Sequence, residues 1–176
     1  MAMTFAQLTA AFETYTNVSD QVDAAQLALW FNEAQLDLAY ELGAVETRQL
    51  ELTPGALLRP EADWLRVVGC ELDYKRQPDG SLLFPNGGRG RLFYRRQPRP
   101  FSGIDSDQVS ELPEALHYLP ALFAASRYWD MESEGDGEES GHAAKWLSYY
   151  YQGKNLARLR LDSAASDAER WRVETG

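Results

Sequence analysis

The apolar residues of this chain change their spacing twice, and no all-α or all-β fold accommodates both changes. Up to Gly43 they recur every three or four positions: Phe5, Leu8, Phe12 and Tyr15 predict a helix over 4–15, and Val22, Leu29, Leu36 and Tyr40 a second, longer one. Ser19 is the expected N-cap of that second helix. Asp20 and Asp23 then fall in its first turn, and Gly43 stops it after Leu42. From Val45 the period becomes two. RQLEL (48–52) alternates up to the turn TPG (53–55), and WLRVVGCELDY (64–74) reads as a strand with Gly69 a candidate bulge. SLLF (81–84) and GRLFYRRQ (90–97) read as strands joined by the Gly-rich loop PNGGRG, and Pro98 and Pro100 end the β region.

Helical spacing returns with ELPEALHYLPALFAASRYWDM (111–131), in which Pro120 either kinks the helix or marks its true start after a short turn. An acidic, Gly-rich linker (132–141) leads to a last helix over about 142–161. The expected fold is therefore α+β: an α-helical bundle of long helices interrupted by a small antiparallel β-rich insertion. The helical core domain takes residues 1–44 and 101–161 and the insertion residues 45–100. The polar segment 162–176 has no apolar stripe and is read as a flexible C-terminal tail.

The 111–131 helix carries two apolar stripes, Leu116, Leu119 and Phe123 on one and Tyr118, Leu122, Ala125 and Trp129 on the other. A helix packed on one core needs one. Burial of the second stripe against identical neighbours resolves the excess, so Tyr118, Leu122 and Trp129 are expected protomer–protomer contacts.

Charge is unevenly spread. Residues 1–47 hold seven Asp or Glu and no Lys or Arg, residues 75–99 hold seven Lys or Arg against Asp79, and residues 102–141 hold ten acids against Arg127. A net charge of -10 argues against a protein whose main task is gripping DNA. Arg89, Arg91 and Arg95 on the basic strand region are expected to meet the acidic helices of a neighbour, ahead of DNA or a tail protein. The alternative from another class is a nucleic-acid-binding module, with Arg89, Arg91, Arg95, Arg96 and Arg99 around Phe93 and Tyr94 on an Arg-rich β hairpin.

Residues for chemistry are scarce. His117 and His142 form no zinc motif, and Cys70 is the only cysteine, so no internal disulfide forms and folding in a reducing cytoplasm is expected. No phosphate loop or nucleophile elbow occurs. The acidic run from Asp130 places Gly141 where a calcium loop needs its bidentate Glu. Nothing selects a carboxylate pair for acid–base work, so an enzyme is the weakest reading and neither cofactor nor metal is expected. No apolar run reaches membrane-spanning length, and MAMTFAQLTA lacks the pattern of a signal peptide.

The order of elements resembles that of head-to-tail adaptor (connector, or tail tubular) proteins of tailed bacteriophages. The likeness is carried by FNEAQLDLAYELG (31–43), the alternating segment up to LFYRRQPRPF (92–101), LPEALHYLPALFAASRYWDM (112–131) and WLSYYYQGKNLARL (146–159). It spans roughly residues 19–161 and is a likeness of pattern.

The resemblance implies a structural virion protein, made in the host cytoplasm and sited in the neck. It implies a ring of about twelve copies between the capsid portal protein and a downstream neck or tail protein. Genomic DNA would pass through the lumen without sequence-specific binding. The C-terminal segment from about Ala157 would reach the portal, which makes Arg158, Arg160, Arg170, Trp171 and Arg172 the expected docking residues. Trp171 folded back on the last helix is the competing reading.

Overall fold

In a computed structural model of the chain, residues 2–19, 21–133 and 137–174 are described, apart from the side chains of 137–140 and 164–174. The fold is mixed α+β. Four α-helices, α1 (Phe5–Thr16), α2 (Ala24–Leu42), α3 (Leu119–Glu132) and α4 (Gly137–Glu174), accompany two three-stranded antiparallel sheets. The chain divides into two compact units, one of Met1–Leu38 with Pro98–Gly176 and one of Ala39–Gln97. Both cuts differ from the expected boundaries at 44/45 and 100/101.

In the helical unit, α1 begins with a capping box: the Thr4 hydroxyl accepts from Gln7 N–H and the Gln7 side chain accepts from Thr4 N–H. Its buried face, Phe5, Leu8 and Phe12, enters the main core. There Phe5, Phe31 and Phe101 form a ring cluster with centroids 5.5–6.3 Å apart.

The N-cap of α2 is Asp23, whose carboxylate accepts from Gln26 N–H at 2.7 Å. Ser19 lies upstream of the helix, and Asp20 falls outside the described residues. Asn32 binds the Phe101 backbone in both directions, accepting at 2.7 Å and donating at 3.0 Å. Gln35, 1% exposed, accepts from the Ser110 hydroxyl. These bonds hold the segment after the β region against α2 and engage the side-chain amides of Asn32 and Gln35.

Pro120 sits in the first turn of α3, after a separate 3₁₀ turn at Glu114–Leu116. The short-turn alternative is therefore the one adopted, because Pro is tolerated where no amide bond is needed. His117, in the turn between them, is 5% exposed. Its Nδ1 accepts from Met3 N–H at 3.3 Å, which leaves Nε2 to donate to the Leu112 carbonyl at 2.5 Å. The backbone of α4 is helical through Glu174, so the segment from 162 continues the helix where a tail was expected.

The β unit contains β1 (Val45–Leu52), β2 (Ala56–Leu58), β3 (Trp64–Cys70), β4 (Lys75–Arg76), β5 (Leu82–Phe84) and β6 (Gly88–Arg96). One sheet has the order β1-β6-β3 and the other β2-β5-β4. The expected hairpin of 81–84 with 90–97 does not pair, since β5 and β6 belong to different sheets. Gly87 allows the crossing. Its φ is +59°, and a Cβ there would meet the Leu52 and Thr53 backbone at 2.5 Å. Register shifts along β3 at Trp64/Arg66 and Val67/Gly69 put an irregularity beside Gly69. Leu50, Leu82, Phe84 and Leu92, each at most 6% exposed, form the core of this unit.

Candidate assembly surfaces

The arginines of β6 lie on the central strand of their sheet, so acids of β1 and of the segment after β3 reach them within the same unit. Arg89 donates to Glu51 at 2.6 Å from the position directly opposite. Arg91 makes a fork to Glu71, at 2.8 Å from Nε and 2.5 Å from Nη2, and its backbone N–H donates to the same carboxylate. Those side-chain bonds hold the Glu71 carboxyl below its ordinary pKa and push Arg91 up. Arg96 pairs with Glu46 at 3.1 Å.

Arg95 has a different task. It donates to the Tyr40 and Glu41 carbonyls in the last turn of α2, where a cation complements the helix dipole. Desolvation, and then the charge of Arg66, lower its pKa. Of the expected neighbour contacts on this strand, Arg89 and Arg91 thus pair with acids of their own unit and Arg95 caps a helix. Tyr94 is likewise engaged, stacked on Trp64 at 4.3 Å.

The two stripes of α3 have separate partners in the helical unit, because α3 packs against both α1 and α4. Leu116, Leu119 and Ala125 are fully buried and Leu122 is 7% exposed. Trp129 is half-buried, packed on the main core and against Tyr128 at 5.2 Å. Leu122 therefore belongs to the core of a single copy, which corrects its expected place on an outer stripe. Of that stripe Tyr118, 36% exposed, is the most open to the surface, with Trp129 partly exposed beside the core.

The exposed apolar side chains are elsewhere. On α2 they are Leu29 (60%), Leu36 (38%) and Tyr40 (50%), and on α4 Tyr149 (43%), Tyr151 (52%), Leu156 (56%) and Leu159 (67%). Near the α4 set, Trp146 packs between Tyr15 and Tyr149, with ring centroids at 5.2 and 5.7 Å, and Lys145 lies over both Trp146 and Tyr149. Phe123, Arg127, Leu147 and Tyr151 line a separate groove between α3 and α4. Arg158 and Arg160 are exposed on α4, whereas the side chains of Arg170, Trp171 and Arg172 lie outside the described residues.

One polar node had no counterpart in the sequence reading. Lys154, 5% exposed, donates to Asp37 at 2.8 Å, and the Tyr150 hydroxyl donates to the same carboxylate oxygen at 2.5 Å. The signal for it was present: Lys154 shares the inward arc of α4 with Tyr150 and Ala157, so a cation sat in an apolar row.

Among the described residues no group of three or more His, Cys, Asp or Glu could hold a metal ion, and no helix is long and apolar enough to cross a membrane. Among the described residues, the exposed apolar side chains that line up along a helix are those of α2 and α4. No protein-family model and no characterised protein matches the chain.

Proposed function

We propose that this chain is a structural virion protein of the head-to-tail adaptor type, a helical bundle with a β insertion that assembles as a ring of about twelve copies. The ring joins the capsid portal to the next neck or tail protein and extends the DNA channel. The observation that carries the reading is the pair of apolar arcs on two long helices, with Leu29 60% and Leu159 67% exposed. Large apolar side chains aligned along a helix surface are interaction sites, since scattered exposure alone does not line up. The order of elements, a helical pair, a β-rich segment, a turn-led helix and a long last helix, supports the same assignment.

In that role the acidic segments around the β insertion favour a lumen that DNA traverses without adhering, because adhesion scales with the phosphates neutralised. The C-terminal part of α4, with Arg158 and Arg160, is the part assigned to the portal. The test is light scattering with electron microscopy of the chain alone and mixed with portal protein. The expected result is a closed ring on the portal; a chain that leaves portal protein unchanged at every ratio overturns the assignment.

A further inference from the structure

The arcs on α2 and α4 cannot cover one another within a single copy. Lys154 marks the side of α4 that faces α2, through Asp37, and Gly153 packs on Tyr118 and Leu119. Tyr149 and Leu156 lie about 200° around the helix from Lys154 at 100° per residue, on the far side from α2. On α2 the buried arc runs through Leu27, Phe31, Ala34 and Leu38, and Leu29 and Leu36 project from the opposite one. Each copy therefore offers two separate apolar arcs.

We infer that the arc of α4 seats on the arc of α2 of a second copy, a head-to-tail contact in which Leu156 and Leu159 meet Leu29 and Leu36. The inference rests on the self-assembling reading above and names its two faces. Charge selects this pairing over like-with-like contacts. Residues 1–47 contain no Lys or Arg, whereas Lys145 and Arg160 lie on the outer side of α4, roughly 180° and 240° around the helix from the inward Lys154. Lys145 lies over the Tyr149 ring beside the α4 arc, and α2 carries Glu33, Asp37 and Glu41 with no cation of its own. Arg127 on Glu33 and Lys154 on Asp37 offset part of that acidity. Two α4 arcs together would set Lys145 and Arg160 against their own copies, whereas the mixed contact sets them beside the Glu33 and Asp37 carboxylates, whose side chains are 47% and 45% exposed, so charge favours the mixed contact. A contact between unlike faces leaves one of each free, so it propagates until it closes.

Cysteine trapping of the full chain in a Cys70→Ser background tests this, with a short bis-maleimide as the probe. Leu36→Cys and Leu156→Cys both fall at exposed positions, and circular dichroism checks that each variant keeps its fold. The doubly substituted chain should give a ladder of covalent multimers. The two single variants mixed should give a dimer and nothing larger, and each alone should stay monomeric. A dimer from Leu156→Cys alone overturns the inference, because it requires like faces to meet. Absence of a ladder also overturns it. In that case multimers of the unsubstituted protein, or a ring formed with portal protein, would show that the adaptor reading stands through other faces.

Discussion

Replacing Asp37 by Ala strips the carboxylate that Lys154 and Tyr150 share. Lys154 is 5% and Tyr150 1% exposed, so both donors lose their partner in a nearly dry place. Removing one side of a fully buried ion pair costs about 3–5 kcal/mol. Here the Asp37 side chain is 45% exposed, so water reaches one end of the pair and the cost falls to about 2 kcal/mol. For a chain of this length that lowers the melting temperature by about 4–8 °C. Thermal unfolding followed by far-UV circular dichroism reads the helical unit directly.

Two controls make the result interpretable. Glu51→Ala breaks the Arg89 pair, whose side chains are 81% and 72% exposed, and should hardly move the transition. Lys154→Met added to Asp37→Ala should recover part of the loss, because the uncompensated charge is gone while its volume remains. If Asp37→Ala behaves like Glu51→Ala, or if Lys154→Met adds a further full loss, the node is not an ion pair held by burial.

Gly153→Ala should destabilise the helical unit by about 1–3 kcal/mol despite the better helix propensity of Ala, seen as a lower melting temperature, because the added Cβ meets Leu119 Cδ2 and sits 2.8 Å from Tyr118 Oη. Arg95→Ser should cost the β unit about 1 kcal/mol in urea unfolding followed by amide hydrogen exchange of the β6 segment, through lost capping of α2, whereas Arg89→Ser should cost little. Glu71 has a depressed pKa in the folded chain, so its contribution is present above the unfolded value of about 4.3 and is lost as pH falls through the lower folded value. Glu71→Gln should therefore flatten the acid side of the stability profile of the β unit.

What could be read from the sequence was local. The change from helical to alternating period places β1, β3, β5 and β6 within a few residues of their observed bounds, and Gly43 ends α2 as its position suggests. The strands that escaped, β2 and β4, have three and two residues, too short for a period to show. Pairing was also hidden, because it is set by contacts between distant segments: nothing in SLLF shows that it joins Ala56–Leu58 and Lys75–Arg76 instead of the basic strand. The end of α4 was missed for another reason. Residues 162–174 lack an apolar stripe, yet Ala164, Ala165, Ala168, Glu169 and Arg170 are strong helix formers, and propensity continues a helix that is already nucleated.

The surfaces show where counting stripes stops being informative. Two apolar stripes on α3 establish that two elements cover it, and that is all they establish. An element of the same chain and an element of a neighbour leave the same pattern. Here α1 and α4 supply the cover, so Leu122 is interior, and the exposed apolar rows of the helical unit lie on α2 and α4. An interior helix needs stripes on both sides, whereas a peripheral helix needs one, so apolar residues on the outer arc of a peripheral helix are those without a role inside one copy. By that criterion Leu29 and Leu36 on α2, and Tyr149, Leu156 and Leu159 on α4, are exposed apolar residues on outer helix arcs, and the assembly surface we propose lies there instead of on α3. The basic strand follows the same logic in charge. Seven cations in twenty-five residues suggest a partner, but antiparallel pairing sets Glu51 opposite Arg89 and Glu46 opposite Tyr94, within reach of Arg96. The partner of Arg89 and Arg96 is the adjacent strand, that of Arg91 is Glu71 just past β3, and Arg95 caps the end of α2.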